Sequence, residues 1–99
     1  MAIYNFRNKA TEDINYGRTT KNSLKLLPQM LHQKAQIKLA RISAATSLED
    51  LRELRGNRLE ILQGHREGQY SIRINDQYRI CFGWRQENAY DVEIIDYHG

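Results

Sequence analysis

Two arginines in one predicted hairpin are the first residues here that could do chemistry. Gln69-Tyr70-Ser71-Ile72-Arg73-Ile74 and Tyr78-Arg79-Ile80-Cys81-Phe82-Gly83-Trp84-Arg85 both alternate apolar and polar residues, with Tyr70, Ile72, Ile74 and Tyr78, Ile80, Phe82, Trp84 on the apolar side. Half-buried strands carry that period of two. The apolar face stays continuous across the hairpin only if the loop has an odd number of residues, and Asn75-Asp76-Gln77 supplies three. Ile72 then pairs with Ile80 and Tyr70 with Phe82, which sets Arg73 directly across from Arg79 on the solvent-facing side. Like charges opposite one another destabilise a sheet. Either an anion lies over them, making a phosphate-binding face that Arg58 and Arg85 enlarge, or carboxylates quench them. The same odd-loop argument at Gln86-Glu87-Asn88 pairs Phe82 with Val92 and Cys81 with Glu93. Glu93 is then diagonal to Arg79, and the quenched alternative is an arginine ladder neutralised by Glu93 and Glu60.

Other basic groups are read the same way. Lys34, Lys38 and Arg41 form a stripe at helical spacing, either a solvated face with stems on the core edge or a contact surface for RNA. His32 falls on the polar side of that helix, which predicts a surface position. His65 sits in the Gly-flanked turn Gly64-His65-Arg66-Glu67-Gly68, placed to touch a backbone phosphate or to stand in solvent. His98 is penultimate, after Asp96-Tyr97. No two histidines have metal-ligand spacing and no Ser/His/Asp set is evident, which argues against a metalloenzyme or a serine hydrolase.

The elements that position these groups are predicted to be helices first and strands after. Ala2 to Phe6 reads as a short strand, Asn8 to Tyr16 as a short helix stopped at Gly17, and Arg18 to Asn22 as a loop. A longer helix runs from Pro28 to about Ala45, with Leu27, Leu31, Ala35, Leu39 and Ile42 on its apolar face. Ser47-Leu48-Glu49-Asp50 resembles a capping box and opens a short helix to Leu54. Arg58 to Leu62, Gln69 to Asn75, Tyr78 to Arg85 and a last strand holding Tyr90, Val92 and Ile94 complete the pattern. The fold class is α+β: N-terminal helices packed on one face of a twisted antiparallel sheet whose other face stays wet.

Size and composition set the outer bounds. Ninety-nine residues favour a single domain over 1–99. The net charge of +3, from 15 Lys+Arg against 12 Asp+Glu, permits an anionic partner without demanding one. Cys81 is the only cysteine, so neither an intrachain disulfide nor a thiolate metal cluster is available. No signal peptide is legible and no stretch approaches the roughly 18 apolar residues of a membrane helix. The expectation is a cytoplasmic protein with no membrane partner.

Three stretches carry a resemblance. They are Gly56-Asn57-Arg58-Leu59-Glu60, then Gly64 to Phe82 through Ser71-Ile72-Arg73-Ile74-Asn75-Asp76-Gln77-Tyr78-Arg79-Ile80, and Ala89-Tyr90-Asp91-Val92-Glu93-Ile94-Ile95-Asp96-Tyr97-His98. With Ser47-Leu48-Glu49-Asp50-Leu51 upstream, they resemble the HigB branch of the RelE/ParE toxin superfamily, the plasmid-maintenance killer proteins. The N-terminal helices match in general character alone. The resemblance implies a microbial RNase-like, RelE-type fold and a type II toxin that acts as a metal-independent, cofactor-free endoribonuclease. Such a toxin cleaves mRNA in the A site of the 70S ribosome and so inhibits translation. It also implies a helix-turn-helix antitoxin as partner, with operator DNA bound only through the toxin–antitoxin complex.

In that chemistry a ribose 2′-OH attacks the adjacent phosphorus, which needs a base, a cation for the phosphorane charge and an acid. Carried over by position, Arg79 is the transition-state stabiliser, and His98 transfers a proton because imidazole titrates near neutral pH. Tyr97 stacks on a base or orients the phosphate. Arg73, with Arg66 and Arg58, binds flanking phosphates, and His65, Lys34, Lys38 and Arg41 are further RNA or ribosome contacts. The chain departs from many relatives in having His65 where an aspartate is frequent and Leu54-Arg55 where Pro-Pro is frequent. Basic or histidine side chains found in some relatives are absent from the strand with Glu60 and Gln63. Rival readings are a ParE-like DNA gyrase inhibitor, a non-catalytic RNA- or ribosome-binding module, and a plain scaffold.

Overall fold

A computed structural model describes residues 3–97. Asn8 opens helix α1 (Lys9–Asn15) by accepting the backbone N–H of Thr11 on its side chain, and Gly17 takes a positive φ of 74° just past the helix end. Helix α2 (Lys21–Leu26) follows at once, where a loop was expected. Its signal is the pair Thr20 and Ser23, each side chain bonded to the other's backbone N–H. Serine in place of Glu or Gln made that capping box easy to miss.

Asp13 ties the two helices together. Its buried carboxylate accepts from Lys9 (2.8 Å), from the Thr20 hydroxyl (2.8 Å) and from Arg18 (3.2 Å). The bond from Lys9, then the one from Thr20, holds its pKa down to about 2. A 3-10 turn, Gln29–Leu31, leads into helix α3 (His32–Ala44), so the helix reading after Pro28 stands. Leu27, Ala35, Leu39 and Ile42 are buried as the spacing required. His32 is buried too, against expectation, because its Nε2 donates to the Leu27 carbonyl at 2.8 Å and caps the turn that precedes its own helix. Ser47 and Asp50 form the capping box of helix α4 (Leu48–Arg52).

Strands β1 (Glu60–Ile61), β2 (Gln69–Arg73), β3 (Tyr78–Arg85) and β4 (Asn88–Asp96) form one antiparallel sheet in chain order. The α+β architecture therefore stands. Ile72, Ile80, Phe82, Val92 and Ile94 on one face meet Ile14, Leu27, Leu39 and Ile42, and these buried side chains form one core. Each contributes about 1.5–3 kcal/mol from apolar burial. The expected N-terminal strand is instead a segment with two isolated parallel bridges, Ile3 to Ala89 and Phe6 to Val92. It covers β4 and leaves β1 as the open edge.

The β2–β3 register is the one read from parity, with Ile72 opposite Ile80 and Arg73 opposite Arg79. The β3–β4 hairpin reaches the expected Cys81–Glu93 pair by another route. Its turn has two residues, Gln86 and Glu87, both with positive φ, and pairs Arg85 with Asn88. A bulge then sets Phe82 against both Asp91 and Val92, with Asp91 at φ 52°. Two turn residues plus one bulged residue give the odd count that the apolar pattern demanded.

Candidate active site

The sheet face away from the core assembles the site. Register lines up Glu60, Ser71, Cys81 and Glu93 across the four strands, and beside that row Arg73, Arg79 and Ile95. Arg79 does not stand in solvent as its strand position suggested; it is buried, at 6% exposure. Its Nε donates to Ser71 Oγ at 2.7 Å, and its Nη2 donates to the Arg58 carbonyl at 2.5 Å and the Ser71 carbonyl at 3.2 Å. Among the described residues Nη1 has no acceptor. Glu60 Oε1 lies 3.8 Å from Nε, and the Tyr97 ring centroid lies 5.5 Å from the guanidinium carbon.

Tyr97 is placed by the backbone and by Glu60. Its N–H donates to the Gln77 carbonyl at 2.6 Å, and its hydroxyl donates to Glu60 Oε1 at 3.2 Å. That bond to a carboxylate raises the phenol's pKa and keeps it a proton donor. Arg79, Glu60 and Tyr97 thus form a half-open cluster in which a cation, a carboxylate and a phenol converge.

The like-charge pair of Arg73 and Arg79 is resolved by direction. Arg73 turns outward to Asp76, and Arg79 turns inward to neutral acceptors of Ser71 and Arg58. Glu93 does not quench Arg79: it accepts from Arg66 at 2.6 Å and lies 3.7 Å from Arg7, which leaves Glu60 as the carboxylate beside Arg79. Arg66 is therefore held by Glu93, which raises its pKa. Cys81 lies in the same row, and burial pushes its thiol up to about 11, so it is neutral and inert at neutral pH.

The remaining basic residues divide. Arg58 falls outside β1 in the left-handed region, at φ 44°, with an exposed side chain and an engaged carbonyl. His65 is exposed in the 3-10 turn Gly64–Arg66. Lys34 and Arg41 are exposed on α3, but Lys38, expected on the same stripe, is buried and donates to Asn57 Oδ1 at 2.9 Å. His98 lies outside the described residues. Sequence reasoning missed Ser71, although its diagonal position to Arg79 across the hairpin was available in the register. It also missed Asn57 and the Arg58 carbonyl, for which residue type gives no signal. Among the described residues no three His, Cys, Asp or Glu side chains are grouped to hold a metal ion, and no helix is long and apolar enough to cross a membrane.

Comparison with known proteins places the chain in a family. The model of the RelE-like toxin of the type II toxin–antitoxin system HigB matches residues 4–98. The chain belongs to this HigB-like family of RelE-like toxins. It is similar to Toxin HigB-1 of Vibrio cholerae, 42% identical over 60 residues that cover 61% of this chain and 63% of the relative. It is also similar to an uncharacterized protein of Haemophilus influenzae, 39% identical over 63 residues, covering 64% and 62%. The matched stretch spans less than two thirds of either relative.

Proposed function

We propose that this toxin is a metal-independent endoribonuclease that cleaves mRNA in the A site of the 70S ribosome, in the cytoplasm. The observation that carries the reading is Arg79: a buried guanidinium fixed by three hydrogen bonds to neutral acceptors, with no acceptor on Nη1 among the described residues. A fixed cation with a spare donor is preorganised for charge that develops on a phosphorane. The 2′-oxygen of the ribose forms a bond to phosphorus and the bond to the 5′-oxygen breaks, leaving a 2′,3′-cyclic phosphate and a 5′-hydroxyl. Arg79 stabilises the phosphorane, and Tyr97 stacks on a base or orients the phosphate. His98, the next residue, takes the proton from the 2′-OH, and the leaving 5′-oxygen takes its proton from water. Arg73, Arg58, Arg66 and His65 line the path of the flanking phosphates, with Lys34 and Arg41 as ribosome contacts. Lys38 is withdrawn from that set by its burial. A helix-turn-helix antitoxin is the protein partner, and operator DNA is reached through their complex.

The test is primer extension on translated and on naked mRNA, beside a gyrase supercoiling assay. Cleavage on programmed ribosomes with none on naked mRNA at physiological salt supports the reading. Efficient cleavage of naked mRNA, or gyrase inhibition without cleavage, overturns it. His98→Ala should lower single-turnover cleavage about 10²–10⁴-fold, the usual contribution of a positioned acid–base group. Full activity in that variant removes His98 and leaves Glu60 or the ribosome itself as the proton acceptor, because Tyr97 is held as a donor.

A further inference from the structure

Lys38 is a buried lysine with no carboxylate partner among the described residues, in a helix where its neighbours Lys34 and Arg41 are solvated. Burial, and then the charges of Arg41, Lys34, Arg73 and Arg79, press its amine down to about 8. A methionine would cover the same apolar surface without that conflict, so what the amine holds is the informative point. It donates to Asn57 Oδ1 at 2.9 Å, and Asn57, itself fully buried, donates from Nδ2 to the Leu51 carbonyl at 3.1 Å.

Asn57 closes the 3-10 turn Arg55–Asn57. The next residue, Arg58, has φ 44° and ψ 60°, a conformation that L side chains adopt only when their surroundings impose it. That turn of the backbone aims the Arg58 carbonyl at Arg79 Nη2, 2.5 Å away. A continuous line of contacts therefore runs from helix α3 through a buried amide to the guanidinium on the far side of the sheet.

We propose that Lys38 is a positioning residue: through Asn57 it fixes the Arg58 carbonyl, and that carbonyl sets the aim of Arg79. The catalytic consequence rests on the ribonuclease reading above; the positioning itself does not. Lys38 touches no substrate in this arrangement. Lys38→Met removes the donor while keeping the length and apolar cover of the side chain.

The test follows the Arg79 Nε–H by 15N NMR, beside single-turnover cleavage on programmed ribosomes. In folded Lys38→Met, the Arg79 Nε–H should exchange with water about tenfold faster or more as its anchoring loosens. The rate constant for cleavage should fall about a hundredfold with half-saturation within about twofold, the pattern of a misplaced group rather than lost binding. Lys38→Gln, which retains a donor, should recover part of both. An unchanged exchange rate in folded Lys38→Met overturns the proposal, as does faster exchange with wild-type cleavage. If the methionine variant does not fold, Lys38→Gln is judged by the same measures against wild type, and failure of both to fold overturns the positioning role in favour of a structural one. Should wild type itself not cleave, the ribonuclease reading fails and the exchange measurement alone decides the positioning.

Discussion

Arg79 combines two demands that its sequence position does not announce. It is anchored like a structural residue, by Ser71 and the Arg58 carbonyl, yet among the described residues its Nη1 has no acceptor. Arg79→Ala should therefore cost about 1–3 kcal/mol of stability, since buried acceptors lose their donor, and should slow cleavage about a hundredfold or more. Urea unfolding beside single-turnover cleavage checks both numbers; a folded variant with wild-type cleavage removes Arg79 from the chemistry. Tyr97 separates ring from hydroxyl. Tyr97→Phe loses the bond to Glu60 but keeps the ring 5.5 Å from the guanidinium, so cleavage should fall less than about tenfold, the scale of one partly exposed hydrogen bond. Tyr97→Ala should cost more. A phenylalanine variant as slow as the alanine variant would make the phenol, rather than the ring, the working part.

Among the elements, the strands were more legible than the helices. Alternation of Tyr70, Ile72, Ile80 and Phe82 set the β2–β3 register because a one-residue slip would expose the whole apolar face. Helix α2 escaped because Lys21–Leu26 is short and polar, and its stability comes from Thr20, Ser23 and the Asp13 carboxylate. Asp13 gives that junction a pH dependence. Its folded pKa, near 2, is below the ordinary 3.8, so its contribution is fully present above about 3.8 and is lost as pH falls through 2. Asp13→Asn should lower the melting temperature at pH 7, and the gap to wild type should close as the pH approaches 2. A gap that persists unchanged at pH 2 would mean that packing, not charge, is what the aspartate supplies. The Arg79 cluster was half legible for a related reason. Register places side chains on a face, whereas the bond from Arg79 to the Arg58 carbonyl depends on one left-handed backbone residue that no spacing rule signals.

At the scale of the whole molecule, charge is more evenly spent than a net of +3 implies. On the open face Arg66 is committed to Glu93 and Arg73 to Asp76, and Arg79 has Glu60 beside it. Few cations remain to release counterions from RNA. Affinity for single-stranded RNA alone should be weak and should fall with log salt at a slope of about −0.7 for each phosphate neutralised, which titration of a labelled oligonucleotide across salt concentrations measures. Tight binding that resists salt would show that the face holds RNA without the ribosome.

The edge strand has a further consequence for when the site exists. Glu60 belongs to β1, a two-residue strand at the edge of the sheet paired with β2, and its neighbour Ile61 is 64% exposed. Short edges of this kind open first and most often, far below the threshold for global unfolding. The carboxylate that faces Arg79 and holds the Tyr97 hydroxyl is therefore supplied by a short edge of the sheet, where opening is least opposed, while the arginine sits on the inner strand β3. Whatever lies across β1 opposes that opening by mass action, so occupancy and completeness of the cluster rise together.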